Sequence, residues 1–446
     1  MSSALDDFPL DTFGQQPFLN LYTQLSLCYA LDSSIADAVV VDSLTQGLEC
    51  LSGEFPWVAG QIVKEGGVFR IKPLEQTPRL VIKDLRDNPS ISMAALREAS
   101  FPARLLDESI IAPRMTLTAL LEPDAKDLPV FAVQANFVAG GLILTFVAHH
   151  QAMDMVGQEL VMSLLSKACR GEAFTEEELN GGNMNRKDVI PLLDSSYTPG
   201  PEVAGQQIAK SPATEPVEAP PKSTWAYFLF SPSSLSSLKS LTADTLPSNC
   251  PFISTDDALS ALIWRHIARS RLPRLASSTI SKFTRAVDVR RYMPSIPPTY
   301  PGLAQNLVLH TRALDTIAQS SLGDLAAQLR AAVDPKTSNL AYVTSAMATV
   351  LDRAEDKSTV SFTGPISPSS DFMLSSWAKV EAYSMDFGFG LPEAVRRPQF
   401  TPFEGLGYLV PRRKDGEIAV VLGLREEDLE RLKEDEEFVK FGKFIG

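Results

Sequence analysis

Cysteine and histidine are both scarce, with four of each in 446 residues. Cys28, Cys50, Cys169 and Cys250 are scattered, and no two stand at a metal-knuckle spacing. This argues against a disulfide framework and for reduced thiols in a cytoplasmic protein. There is no G-x-S-x-G elbow and no G-K-S or G-K-T phosphate loop, so the usual serine-hydrolase and P-loop readings fail. Gly388-Phe389-Gly390 has Glu393 where a dinucleotide fingerprint needs its third glycine, and that reading fails too. Basic charge is short: 41 Lys and Arg against 54 Asp and Glu give −13 with histidine neutral. Such a chain is a poor partner for nucleic acid, which needs a basic surface to displace counterions. A local basic pocket for a phosphorylated cosubstrate is still compatible with it. Long apolar runs are missing as well. The most apolar stretch, Leu128 to Ala148, is interrupted by Gln134, Asn136 and Gly140-Gly141, so it reads as a core hairpin and no membrane partner is expected. The first residues carry Asp6 and Asp7 and show neither a basic nor an apolar leader segment, so no secretory signal is expected.

The rest is the composition of a soluble globular protein, 44% hydrophobic and 21% charged. From Tyr197 to Lys222 six prolines occur with almost no large apolar residue. That stretch reads as an extended linker between an N-terminal unit, 1–196, and a C-terminal unit, 223–446. Both units mix strand-like and helix-like patterns. In the first, period-two strands over Val130–Val138 and Leu142–Ala148 lead into a helix near Met155–Cys169. There Val156, Leu160, Leu164 and Ala168 recur every fourth residue, with Gly171 as the stop. In the second, Thr255-Asp256 is expected to cap a helix through Ala258, Leu262, Trp264 and Ile267. The acidic run Glu426–Glu437 reads as a solvated terminal helix, with Leu429, Leu432 and Val439 on one face.

The densest polar cluster is His149-His150-Gln151-Ala152-Met153-Asp154, directly after the apolar strand and at the mouth of the helix. A strand end is where a rigid scaffold presents side chains to a cleft. A neutral imidazole there can take a proton from a hydroxyl. Two other readings stand beside this one. The segment can be a polar turn with two solvated histidines, or a metal site. The second is awkward, because adjacent residues on an extended strand point to opposite faces and no further ligand pair follows; no metal is expected. His266, His310, Trp225 and Trp264 read as packed or surface residues without a role in chemistry.

His149 to Asp154 matches the H-x-x-x-D signature of the BAHD acyltransferases, and Asp386-Phe387-Gly388-Phe389-Gly390 resembles their D-F-G-W-G. Between them, Ala286-Val287-Asp288-Val289-Arg290 resembles V-D-x-R. Tyr300-Pro301-Gly302 to Asn306 is similar to the stretch that follows it, and Leu374-Ser375-Ser376-Trp377 to the S-W segment before D-F-G. The resemblance covers the whole chain and leans toward the fungal trichothecene 3-O-acetyltransferase branch. Two departures are the triplet His149-His150-Gln151 and Phe389 in place of tryptophan.

The resemblance implies an α/β fold of two chloramphenicol-acetyltransferase-like domains with mixed sheets, joined by a long crossover linker, with a channel between them. It implies a monomeric O-acyltransferase that binds no resident cofactor. The enzyme would take acetyl-coenzyme A or another acyl-coenzyme A as cosubstrate and a small-molecule alcohol, such as a trichothecene, as acceptor. A thioester is already activated, which agrees with the missing serine elbow. His150 falls at the family's base position. Asp154 invites a triad reading, but the family pairs this carboxylate with an arginine, here Arg290. Asp386, Gly388 and Gly390 would shape the site structurally. Ser254, Ser375, Ser376 and Trp377 would contact coenzyme A, and Asn306 or Trp377 is a candidate oxyanion donor. A non-catalytic acyl-coenzyme A binder and a peptide-forming condensation domain, which shares H-H-x-x-x-D, are the alternatives; the 446 residues hold no carrier or adenylation domain, so the latter is not expected.

Overall fold

The computed structural model describes residues 8–32, 34–74, 79–122, 125, 127–208 and 221–446. Two large sheets organise it. The first has five strands in the order Ala394–Arg396, Tyr22–Ala30, Gly141–His149, Phe131–Val138 and Leu80–Asp84. The second has seven, in the order Gln305–Ala313, Ile280–Asp288, Phe372–Ser376, Leu406–Leu409, Ile418–Arg425, Ser223–Phe230 and Gly442–Phe444. Both sheets mix parallel and antiparallel pairs, so the fold is α/β with mixed sheets. A small sheet of Phe8–Pro9, Val68–Pro73 and Gly60–Glu65 lies apart.

The central hairpin follows its pattern. Phe131–Val138 pairs antiparallel with Gly141–His149, and Phe131 faces Ala148. Phe131, Val133, Ala135 and Phe137 enter one core cluster with Leu142, Leu144 and Phe146. The opposite face buries Gln134 and Asn136, whose amides donate to the carbonyls of Ile110 and Ile111. The helix Met155–Cys169 and the helix Asp37–Glu54 bury residues into the same cluster.

The seven-stranded sheet is buried on both faces, and alternation divides its side chains between two cores. Trp225, Tyr227, Ala419 and Val421 join the first cluster. Ala226, Phe228, Val420 and Leu422 pack under the helices Pro232–Ala243, Thr255–Arg271 and Leu322–Ala331. The first half of the chain thus packs on the back of the second half's sheet. The exchange also runs through the backbone. Ala394–Arg396, from the second half, forms the edge of the five-stranded sheet beside Ser26–Cys28, and Trp377, Tyr383, Phe387 and Phe389 lie in the first cluster.

Four local expectations need correction. The cap of the helix Thr255–Arg271 is Ser254, in a capping box with Asp257. The acidic terminal run breaks at Asp435 into Glu426–Glu434 and Glu436–Val439. It is not simply solvated: Phe438 is buried, Val439 faces outward, and Asp428 is buried against Arg274. Of the linker, 209–220 lies outside the described residues. The part before it holds a short helix, Pro201–Ala204, that buries Val203, so that part does contribute to a core.

Candidate active site

The strand Gly141–His149 ends in a tight turn that sets the two histidines back to back. His149 continues the strand alternation and points inward, fully buried, edge-on to Tyr22. Its Nε2 lies 3.1 Å from Asn20 Oδ1. An amide oxygen only accepts, so this nitrogen carries the proton. Burial, with a smaller contribution from His150, pushes His149 down to about 3. It is a neutral structural residue.

His150 is half-buried, and its N–H donates to Leu21 O. The ring Nδ1 lies 3.1 Å from the Met153 carbonyl. A carbonyl only accepts, so Nδ1 carries the proton and Nε2 keeps its lone pair. Burial holds the imidazole below the ordinary histidine value. The Met153 bond and the Asp154 charge offset that in part. A neutral ring with a fixed tautomer and an open lone pair can act as a general base.

Asp154 caps the helix Met155–Cys169, accepting from Gly157 N at 2.8 Å. Its carboxylate meets Arg290 in a two-pronged pair, 3.0 Å from Nη1 to Oδ2 and 3.1 Å from Nη2 to Oδ1. Ala304 N donates to Oδ2 as well. Arg290 uses all five of its N–H groups, since Tyr300 O, Gly302 O and Asp288 Oδ1 accept the others. Burial opposes its charge, but the Asp154 and Asp288 carboxylates outweigh it and hold the guanidinium protonated. Asp154 therefore joins the two halves of the chain and is spent on that junction. No hydrogen bond from it to His150 occurs among the described residues.

The Asp386–Gly390 loop sits at the other end of the same helix. Asp386 Oδ1 accepts from Gly388 N and Gly390 N at 2.8 and 2.9 Å, and both glycines have positive φ, 97° and 102°, where a side chain would be strained. Ser166 and Ser43 donate to the carbonyls of Asp386 and Phe387. At 1.5 Å per residue, Ser166 is roughly 18 Å along the helix from its cap. This loop is therefore remote from the turn that carries His150 and Asp154.

Comparison with known proteins decides what this arrangement belongs to. A family model described as the transferase family matches residues 104–439, and one described as the trichothecene 3-O-acetyltransferase-like N-terminal domain matches 21–169. The chain is 49% identical to the O-acetyltransferase dmxR13 of a Cryptosporiopsis species, covering 100% of each. It is 48% identical to the trichothecene 3-O-acetyltransferase TRI101 of Fusarium sporotrichioides, covering 100% of this chain and 98% of that protein. The chain belongs to the BAHD acyltransferase family. The crystal structure of F. sporotrichioides TRI101 complexed with coenzyme A and T-2 superposes with a TM-score of 0.91 at 47% identity, covering 99% of this chain and 100% of that one. Vinorine synthase, at 16% identity and a TM-score of 0.69 over 99% of this chain and 95% of that one, shares the fold.

The remaining BAHD-type residues are held by protein partners. Ser254 Oγ caps its helix through Asp257. Ser376 Oγ donates to Asp256, and Ser375 Oγ accepts from Trp377 Nε1 at 3.0 Å. Ser254 and Ser376 thus converge on Asp256-Asp257 at one helix N-terminus. Arg285 and Arg330 stand beside the same carboxylates, two cations that sequence reading missed because they lie in unrelated elements. Asn306 is fully buried and spends its amide on Thr344, and Trp377 is committed to Ser375. Trp377 therefore has no free N–H for an oxyanion, whereas the Asn306 amide has two N–H groups and donates one of them.

Two further groups escaped the sequence. Glu159, one turn into the helix, accepts from Glu381 N, and burial raises it to about 7. Arg186 is almost wholly buried and donates to the Ala152 carbonyl inside the histidine loop. Among the described residues no group of three or more His, Cys, Asp or Glu could hold a metal ion. Two surface clefts, of about 330 and 470 Å³, are not lined by His150; hydrogen-bond geometry, not cavity volume, marks this site.

Proposed function

We propose that the chain transfers an acetyl group from acetyl-coenzyme A to a hydroxyl of a fungal secondary metabolite, a trichothecene or another terpenoid alcohol, with His150 as general base. The observation that carries this reading is the bond from His150 Nδ1 to Met153 O, which leaves Nε2 as the acceptor nitrogen with no hydrogen-bond partner among the described residues. Nε2 takes the proton of the acceptor hydroxyl as its oxygen attacks the thioester carbonyl carbon. The C–O bond forms, the tetrahedral centre collapses, the C–S bond breaks, and the proton passes to the departing thiolate. No acyl-enzyme is involved, and Asp154 acts through Arg290 as a structural anchor.

For the donor, the reading places coenzyme A phosphates near Ser254, Ser376, Arg285 and Arg330, where a helix N-terminus favours an anion, although Asp256 and Asp257 already pair with both guanidiniums. Ser375 and Trp377 would line the pantetheine path. The named activities of the two relatives at 49% and 48% identity support O-acetyl transfer and leave open which alcohol is used. The division into 1–196 and 223–446 about 197–222 belongs to the same reading, with residues 377–400 packed on the first unit. A cytoplasmic location is proposed with it, on the support of four free thiols, and a monomeric state on family resemblance alone.

The test is release of free thiol from acetyl-coenzyme A across a panel of terpenoid, polyketide and alkaloid alcohols, with mass detection of the ester. Acceptor-dependent thiol release and an acetylated product are expected. Binding of acetyl-coenzyme A without turnover on any alcohol would favour a non-catalytic binder instead.

A further inference from the structure

Beyond the His150 N–H bond to Leu21 O, side-chain contacts clamp the turn that carries His150 at three points, and only two lie in family signatures. Gln151 donates to Gly14 O at 2.9 Å, and Asp154 is held by Arg290. The third clamp is Arg186, in the loop after the helix Glu176–Gly182. Its side chain is 2% exposed and lies over the Trp57 ring, 4.3 Å from the centroid, with Phe8 beyond at 5.6 Å. Its Nη1 donates to Ala152 O. The buried carboxylate of Asp11 faces it electrostatically.

Asp11 extends this clamp across the molecule. It accepts from Gly14 N, from Leu303 N at 2.9 Å and from Tyr300 Oη at 3.0 Å. The carbonyl of Tyr300 in turn accepts from Arg290 Nε. Arg186, Asp11, Tyr300 and Arg290 thus form a buried polar chain that starts on Ala152 O and returns to Asp154. A guanidinium buried this deeply is costly unless it is paired, and its one hydrogen bond among the described residues goes to the turn that carries His150. The Ala152 carbonyl belongs to the peptide just before Met153, whose own carbonyl fixes the His150 imidazole. Tilting one peptide plane rotates the next.

We propose that Arg186 is a positioning residue for His150: by pinning the Ala152 carbonyl it fixes the Met153 carbonyl and so the tautomer and direction of the imidazole. The proposal rests on His150 being the base, and the experiment separates the two. Wild type, Arg186→Met, Arg186→Lys, His150→Ala and the double variant Arg186→Met/His150→Ala are compared by steady-state kinetics, and by nitrogen NMR of protein labelled at histidine.

Arg186→Met should lower kcat about 10–100-fold with KM for acetyl-coenzyme A changed less than about threefold, as for a misplaced catalytic group. The acidic limb of kcat should move to lower pH, because the Met153 bond that supports protonation of His150 is loosened. The His150 ring should lose its single Nδ1–H tautomer. In the His150→Ala background the same substitution should leave residual turnover unchanged. Arg186→Lys keeps a cation opposite Asp11 and should show a smaller loss in the same direction; it decides the matter if Arg186→Met does not fold. Wild-type kcat and pH limb in either folded variant, an equal loss in the His150→Ala background, or an Nε2–H tautomer in the wild type would each overturn the proposal. Full turnover in His150→Ala would instead sink the general-base reading, while the NMR arm would still report whether Arg186 holds the ring.

Discussion

The Asp154 carboxylate faces Arg290 and not His150, with both oxygens engaged by the guanidinium at 3.0 and 3.1 Å. The H-x-x-x-D pair is therefore not an acid–base dyad. Its aspartate fixes the helix start and the contact between the two halves, and does not orient the histidine. Both partners are about 95% buried or more, so removing one leaves an uncompensated charge, which typically costs about 3–5 kcal/mol. Asp154→Ala and Arg290→Ala should each lower thermal stability and turnover, with Asp154→Asn gentler. The double variant should cost less than the sum of the singles. Strict additivity in that cycle would refute the coupling. A triad would give a different pattern, with Asp154→Asn losing turnover at unchanged stability.

His150→Ala should abolish turnover by at least about 10²–10⁴-fold while leaving the fold and coenzyme A binding intact. Because burial keeps this ring below the ordinary histidine value of 6.5, it is neutral at physiological pH, as the proposed base must be. Activity should fall only as the solution is acidified past that lowered value. Turnover in His150→Ala within tenfold of wild type would remove it from the mechanism.

How much of this was legible in advance depended on local periodicity. The hairpin 131–149 and the helix Met155–Cys169 repeat every two and every four residues, and their bounds fell within a residue of expectation. The histidine turn was visible because it interrupts those patterns. The Asp154–Arg290 pairing was a different matter: the residues are 136 positions apart, and only family resemblance joined them. The edge strand Ala394–Arg396 could not be read, because three residues carry no period and its partners Ser26–Cys28 lie at the other end of the chain. Nor could the terminal strand Gly442–Phe444. Arg186 is a single arginine in a polar loop, and nothing nearby in sequence shows that Trp57 and Phe8 will enclose it. Family resemblance makes Ser254 a ligand contact, while an isolated serine is more often an ordinary turn or cap residue, and the Asp257 capping box shows that second role in use.

His149 should prove dispensable for chemistry and important for acid stability. Its ring is pushed down to about 3 in the folded protein, against 6.5 ordinarily. Between those values the unfolded chain binds the extra proton. The stability from the neutral ring is therefore complete above pH 6.5 and declines as pH falls toward 3, by about 1.4 kcal/mol per pH unit. His149→Gln keeps a donor for Asn20 and removes the titration. Its stability relative to wild type should improve steadily on acidification through that window, which chemical denaturation at several pH values will read. His310, pushed down to about 4, contributes to both proteins equally and cancels. A constant offset between the two proteins would show that His149 does not titrate there.

Gly157, three residues past Asp154 in the first half of the chain, marks a close approach of the second half. A Cβ placed on it would lie 1.9 Å from the Pro301 carbonyl oxygen and 3.0 Å from Met153 Cβ. Pro301 stands between Tyr300 and Gly302, whose carbonyls both accept from Arg290, so the obstacle is backbone held in place by the buried pair. Helix propensity argues the other way, since alanine is favoured over glycine by about 1 kcal/mol inside a helix. The sign of the change is therefore diagnostic. Gly157→Ala should destabilise by about 1–3 kcal/mol, the usual cost of overpacking, and should lower turnover by displacing Pro301 and Arg290 from Asp154. Gly53→Ala is the control, because Gly53 lies in the helix Asp37–Glu54 with nothing within 4 Å of its added Cβ. It should be neutral or stabilising and leave activity unchanged. If thermal unfolding shows Gly157→Ala gaining stability as Gly53→Ala does, the two halves do not meet at Pro301 as closely as described. The junction that holds Asp154 and Arg290 would then have to form by another contact.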